Sequence, residues 1–554
     1  MIFRRPATRH FLALLGGVAA AIGPVGAAAD PPLAARVLVL ANSDDPDSRR
    51  IARHYAEVRG VPEANLITLK LPLGEIISWK EFIATLWQPL LDQLVAAGWV
   101  DAIPMTATDA IGRRKYAPYR HRIAALVVCR GVPLKIEHDP ALSAEVKPFT
   151  ARGEFRTNAG AVDAELSLLA VPNYPINAFV PNSLFQNERP SLYELGQVVK
   201  VSRLDGPTAE DANALVDRAV AAERTGLLGR AYVDIANRDK VGDPWFENTA
   251  QQLTALGFDT AVDRESGTMP LAARIDAPVL YFGWYAGSVD GPFLLPGFRF
   301  APGAIALHLY SYSASTMRQS TGAWTGSFVA RGVTATVGNV HEPYLHFTHP
   351  PHLLLRALAR GANLVDAAYF ALPALSWHAV LIGDPLYRPF AVRLEEQLAN
   401  LTSLPPRLAP YAVLRKMHQL DDDGHREAAT ALGISAQRQV PGLAVGVTLA
   451  RRFMDAGDPD AAGQALGFAP LLTAFDANEW ALAREAAQLL AAAGRANRAV
   501  DVWRTLFGAP SLPVELRLAW LPEALKTARA AKDDVQMKVW QTELAALTAA
   551  VEKK

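Results

Sequence analysis

Short apolar runs that end in small or polar residues alternate with amphipathic stretches over the first two-thirds of the chain. RVLVLA (36–41) is one such run, closed by Asn42-Ser43-Asp44-Asp45. It predicts a buried parallel strand with a polar loop at its carboxyl end. Asp47 to Arg59 has helical spacing and stops at Gly60, with Pro62 beyond. Asn65–Leu71 predicts a strand, Trp79–Ala97 a helix and Ile123–Cys129 a third strand. This order implies an α/β domain with a parallel-dominated sheet flanked by helices. Residues 140–228 interrupt the alternation, and NYPINAFVPNSLFQNERP (173–190) reads as a surface excursion rich in Pro and Asn. Within that interruption Thr208–Glu223 is helical. The pattern resumes with GRAYVDIAN (229–237), a helix over Trp245–Leu256, and the runs PVLYFG (278–283), AIALHLYS (304–311) and TATVGN (334–339). Helices follow at Pro350–Arg360 and from Asn363, where Asp366 is the capping partner. The domain closes on SWHAVLIGDPLYRPF (376–390).

From about residue 396 strand patterns vanish, and Ala and Leu recur at helical spacing. ALAREAAQLLAAAGRANRAVDVWRTL (481–506) reads as helix–turn–helix with Gly494 in the turn, and LARRFMDAGDPDAAGQAL (449–466) has a similar shape. Such pairs predict an α-helical, tetratricopeptide-like domain over 396–554. At the other end, Arg4, Arg5 and Arg9 flank an apolar core from Phe11 to Ile22, followed by small residues up to Ala29. That is the form of a signal peptide over 1–29, cut after Ala29, which leaves the α/β domain at 30–395 and places the protein in the periplasm or at the cell surface. No later stretch is apolar enough for a membrane helix. Lys+Arg and Asp+Glu both number 55, so no charge field argues for nucleic acid. The single cysteine, Cys129, lies inside IAALVVCRG (123–131) and reads as core filling; an exported chain with one cysteine forms no internal disulfide.

Strand carboxyl ends are where α/β sheets bind ligands, and the candidate chemistry gathers there. Gly283, Trp284 and Tyr285 end one run, with Asp290 further along the loop. Ser311 and Ser313 end the next, Asn339, His341 and Glu342 the third, and Asp384 sits in a Gly-Asp-Pro segment. A serine hydroxyl needs a base to become a nucleophile, and the Trp284 indole can only donate. His308 lies three and five residues before the serines, so on a regular strand it points to the opposite face. The loop-borne His341, Glu342 and Asp290 are freer. HEPYLHFTHPPH (341–352) carries good zinc ligands, but its spacing 341, 346, 349, 352 matches no helical H-x-x-x-H run, so neither a metal nor another cofactor is expected. Asp384 has a turn-capping reading, Asp234 a loop hydrogen bond and Arg130 an ion pair. Asp163 and Glu165 share a strand face or diverge on a helix.

VDAEL (162–166), RLDGPT (203–208), GRAYVD (229–234), GNVHEPYL (338–345) and SWHAVLIGDPLYRPF (376–390) resemble, in order and context, a family of exported bacterial proteins found in species that carry the exosortase protein-sorting system. The resemblance implies a link to envelope or surface biology and brings no established activity. The order of late elements is also similar to gingipain-type and caspase-like cysteine peptidases. There, one strand ends in a catalytic histidine, the next in a catalytic cysteine, and a Gly-Asp-Pro segment follows. By that resemblance Trp284 stands at the histidine position and Ser311 or Ser313 near the cysteine position, so both departures fall on catalytic residues. The expectation is a degenerate peptidase-like domain that binds an envelope protein or polysaccharide. The alternatives are a serine-dependent hydrolase using Ser311 or Ser313 and, third, a metal-dependent hydrolase around His341 and Glu342.

Overall fold

The eight apolar runs, with two strands that the pattern did not announce, form one ten-stranded sheet. The computed structural model describes residues 32–145 and 152–552; the signal-peptide reading lies outside them. The chain contributes β1 (Val37–Asn42), β2 (Leu66–Leu69), an outlying ribbon of β3 (Val100–Thr108) and β4 (Arg114–His121), then β5 (Ala125–Cys129), β6 (Val201–Leu204), β7 (Arg230–Asp234), β8 (Thr260–Asp263), β9 (Pro278–Gly283), β10 (Ile305–His308), β11 (Ala335–Asn339) and β12 (Ala379–Gly383). In space the main sheet runs β8-β7-β9-β10-β11-β12-β6-β5-β1-β2. It is parallel from β8 through β11, while β12 runs antiparallel to β11.

Helices cover the sheet: α1 (Pro46–Arg59), α2 (Gln88–Ala96), α3 (Leu192–Gln197), α4 (Ala209–Thr225), α5 (Gly242–Ala255), α6 (Trp324–Ala330), α7 (Pro351–Ala359) and α8 (Leu364–Ala371). Their ends follow from capping. The Asp45 carboxylate accepts the N–H groups of Asp47 and Ser48 at the start of α1, and Gly60 ends it at φ 66°. Thr208 and Asp211 form a reciprocal capping box at α4. The predicted helix 79–97 is continuous but passes through a π-turn at Phe82–Trp87 before α2.

The tail is helical, as its composition predicts. It comprises α9 (Ala409–Asp422), α10 (Arg426–Gln439), α11 (Leu443–Asp455), α12 (Pro459–Ala465), α13 (Trp480–Ala492), α14 (Ala496–Phe507), α15 (Val514–Ala531) and α16 (Asp534–Val551). The change of secondary structure near 396 is not a break in packing, because Leu33–Lys554 forms one compact unit. A single apolar cluster joins Tyr232, Tyr281 and Phe328 of the α/β part to Met417, Leu449 and Trp480 of the tail. The seam is also polar: the buried Asp276 carboxylate accepts from the Tyr411 hydroxyl of α9 at 2.6 Å and pairs with Arg274 and Arg230. No helix among the described residues is long and apolar enough to cross a membrane.

Two features depart from the sequence reading, and a third selects between its alternatives. The interruption at 140–228 holds β6, a central strand, so it is not a continuous excursion; within 173–190, Tyr174, Ile176, Asn182 and Leu184 are buried. The ribbon β3–β4 and the edge strand β8 had no expected counterpart. Asp163 and Glu165 lie on a short helix, Val162–Leu166, and both are buried.

Candidate functional site

Three parallel strands end level with one another. Asp234 of β7 is in register with Gly283 of β9, and Gly283 with His308 of β10. Behind this edge runs a buried polar chain. The His308 Nε2 accepts the Ala286 N–H at 3.0 Å, which leaves the proton on Nδ1; Nδ1–H donates to the Tyr281 hydroxyl at 3.0 Å. The Tyr281 O–H donates to Asp234 Oδ2 at 3.1 Å, which also accepts from the Met269 N–H. Burial holds the His308 imidazole well below its ordinary range and pushes the Asp234 carboxyl up to about 7. His308 stacks on Trp324 at 3.7 Å between ring centroids. Its nitrogens are both occupied and neither serves Ser311 or Ser313. A Cβ at Gly283 would lie 2.3 Å from the Tyr281 oxygen, so the strand-ending glycine is required by this chain.

The candidates in front of the edge are mostly committed to structure. Trp284 is buried; its indole N–H donates to Asp243 Oδ1 at 3.1 Å, its ring stacks on Phe246, and Gly242 makes room for it. The Ser313 hydroxyl accepts the Asn339 N–H at 3.1 Å and is buried, and Ala314 N–H returns a bond to the Asn339 carbonyl. Ser311 is half-buried on the following turn, and no imidazole or carboxylate is hydrogen-bonded to it among the described residues. Asp290 caps the short 3₁₀ turn Gly291–Leu294 by accepting the Gly291 N–H. Glu342 accepts the Tyr344 N–H at 3.0 Å. His341 meets His378 edge to face, its Nε2 is buried without a hydrogen-bond partner among the described residues, and burial and the neighbouring Lys135 keep its imidazole below the ordinary range. His349 is buried and pushed down to about 3 by burial, while His352 starts α7 beside Trp245. No three His, Cys, Asp or Glu side chains among the described residues are grouped to hold a metal ion.

Asp384 belongs elsewhere. Because β12 runs against β11, Gly383 pairs with Ala335 at the start of β11, not with Asn339 at its end. Asp384 is therefore at the opposite edge of the sheet, buried, where it accepts from Arg59 Nε at 2.5 Å and from the Tyr55 hydroxyl at 3.1 Å. The expectation that it lines the cleft fails because strand direction is not written in a local motif.

Other quoted motifs resolve into buried ion clusters. All five Arg203 N–H groups find acceptors: both Asp163 oxygens, Asp205 Oδ2, and the carbonyls of Val132 and Pro133. Asp205 is also bonded by Arg318, from the loop after β10, which ties β6 to that loop. Glu165 accepts from the hydroxyls of Tyr174 and Ser376, and burial pushes its carboxyl up. Arg130 bonds the carbonyls of Gly206 and Pro207 and stands 4.0 Å from Asp47. Cys129 is buried, and its thiol is pushed well up.

Aromatic side chains remain at the open rim. Tyr285 packs against Tyr310 with centroids 4.7 Å apart and ring planes tilted by 58°, and the Arg238 guanidinium lies over the Tyr285 ring at 4.3 Å. Tyr312 and Tyr344 are held at φ 62° and 58°, left-handed conformations that are costly for bulky residues. Partial burial, Glu342, Glu154 and Tyr312 together raise the Tyr344 hydroxyl. Tyr285 was legible as a strand-end residue; Arg238, Tyr310, Tyr312 and Tyr344 were not, although the repeated tyrosines of LYSY (309–312) were a signal. A groove of about 1140 Å³ opens between Pro296–Arg299 and the tail, lined by Phe475, Asn478 and Trp480 among others. No protein-family model, curated protein or solved structure matches the chain.

Proposed function

We propose that this is an exported envelope protein that binds or assembles partners on a peptidase-like domain of caspase/gingipain type whose reactive positions serve packing. The observation that carries the reading is Trp284, whose only polar side-chain atom donates inward to Asp243; by the resemblance, this residue stands where those peptidases carry their histidine. Ser313 is spent on Asn339, and His308 on Tyr281 and Ala286. What faces outward is a tyrosine rim with one guanidinium, suited to stack on sugar rings or to grip a polypeptide. A tetratricopeptide-like tail and the groove beside it extend the area available to a partner.

The test has two arms. A fluorophosphonate probe should leave the protein unlabelled, and binding to envelope polysaccharide or protein fractions should fall when Tyr285 and Tyr312 are both replaced by Ala. Labelling that disappears in Ser311→Ala would establish the serine-hydrolase reading instead. Ser311 is the one candidate hydroxyl not already claimed by the fold. Hydrolysis that depends on added zinc and is lost in His341→Ala would favour the metal reading.

A further inference from the structure

The ribbon β3–β4 stands apart from the main sheet and turns its apolar face outward. Its register pairs Asp101 with Arg120, Ile103 with Ala117 and Pro104 with Tyr116. Tyr116 is the inward residue: it is buried, and its hydroxyl donates to Asp92 of α2. Side chains alternate across a ribbon, so Ile103 and its partner Ala117 take the opposite face, while Met105 and Tyr119 lie where the register shifts, in the irregular segments on either side. Ile103 is 64% exposed, Met105 46% and Tyr119 60%. Helix α3 continues the surface. Gly196 packs against Arg120, and one turn earlier Leu192 and Tyr193 are 88% and 67% exposed. Five large apolar side chains on two adjoining elements therefore meet solvent, a concentration that marks an interaction surface.

The charge around this patch is positive. Residues 100–122 carry Arg113, Arg114, Lys115, Arg120 and Arg122 against Asp101 and Asp109, and α3 adds the carboxylate of Glu194, which leaves a positive excess. Arg113 pairs with Asp109 and Arg114 with Asp92, but Arg120 and Arg122 share the one carboxylate of Asp101, and Lys115 has no carboxylate partner among the described residues. Residues 103–108 are exposed without interruption, while the turn that joins the two strands is anchored to the body through the buried Arg113, which donates to the Tyr174 carbonyl and lies over the Trp87 and Tyr174 rings. An exposed apolar surface with tyrosines and surplus cations has the composition of a membrane-interface anchor. A second copy of the chain would set these cations against their own kind, whereas anionic headgroups neutralise them.

We infer that the β3–β4 ribbon and α3 form a peripheral docking surface for an anionic lipid bilayer, with Ile103, Met105, Tyr119, Leu192 and Tyr193 entering the headgroup region and Lys115, Arg120 and Arg122 contacting phosphates. This surface lies outside the tyrosine rim and stands or falls independently of what that rim binds.

The test uses the chain beginning at Asp30, which retains the whole unit Leu33–Lys554 and omits the apolar leader, itself able to enter lipid. The probe is co-sedimentation with vesicles of mixed phosphatidylglycerol and phosphatidylcholine, against vesicles of phosphatidylcholine alone. Binding should be about tenfold tighter to the anionic vesicles and should weaken with added salt. The variant Ile103→Ser/Met105→Ser/Tyr119→Ser should bind about tenfold or more weakly at an unchanged melting temperature. Leu192→Ser/Tyr193→Ser reports the same surface from α3 should the ribbon variant unfold. Lys115→Gln/Arg120→Gln should lose the salt sensitivity. Wild-type protein left in the supernatant with both vesicle types overturns the inference, as does undiminished binding by both apolar variants. Light scattering that shows a wild-type dimer abolished by those variants would assign the surface to a second copy, and an acidic protein that displaces the vesicles without lipid would assign it to a protein partner; either result overturns the lipid assignment.

Discussion

Replacing Arg203 by Met tests whether the buried ion cluster at β6 is a structural keystone. The side chain is fully buried and donates to five acceptors, two of them on Asp163. Met fills comparable space but leaves the Asp163 carboxylate with no hydrogen-bonding partner and the Val132 and Pro133 carbonyls without donors. Asp205 suffers less, because Arg318 and the Gly206 N–H remain. Removing one member of a buried pair costs about 3–5 kcal/mol, chiefly through the charge left behind. We expect a loss of about 4 kcal/mol, read from the midpoint and slope of urea unfolding followed by tryptophan fluorescence. The double variant Arg203→Met/Asp163→Leu should recover a large part of that loss, because no unpaired charge then remains at Asp163. A single-variant loss under about 1 kcal/mol, or single-variant losses that simply add in the double variant, would refute the reasoning.

Asp234 predicts a pH dependence. Its folded-state carboxyl is raised to about 7, against about 4 in an unfolded chain. Between those values the folded state holds a proton that the unfolded state releases, so stability falls as pH rises, by up to about 1.4 kcal/mol per pH unit; Asp234→Asn should flatten urea midpoints across that window. At the seam, Tyr411→Phe removes the hydroxyl bonded to Asp276 and should cost about 1–3 kcal/mol, with faster amide exchange at 273–277 and in α9.

The sheet's apolar strands were legible because they are buried on both faces and read as continuous runs. β6 was not: VSRL is short and carries Arg203, and a charge in the middle of a strand looks polar until its acceptors are known. The β3–β4 ribbon was not, because its outward apolar face breaks the rule that alternation points inward. The tail was legible as helix from composition alone, but not its fusion to the sheet, which depends on Asp276, Arg274 and Tyr411 meeting from distant parts of the chain. At the site, the sequence indicated that Trp284 has no basic atom; that Ser313 and His308 are already bonded inside could be learned only from their neighbours. Asp384 was misplaced because a Gly-Asp-Pro motif carries no sign of strand direction.

The position of β12 has a consequence for biosynthesis. This strand, residues 379–383, lies between β11 and β6 and is made after every other strand of the sheet. Until it emerges, the sheet exists as two separate half-sheets, each ending in a raw margin of unpaired amides and carbonyls, the kind of margin that recruits foreign strands. A chain terminated just short of residue 379 would keep both margins for good, so nonsense truncation there should yield aggregates, not a smaller working protein.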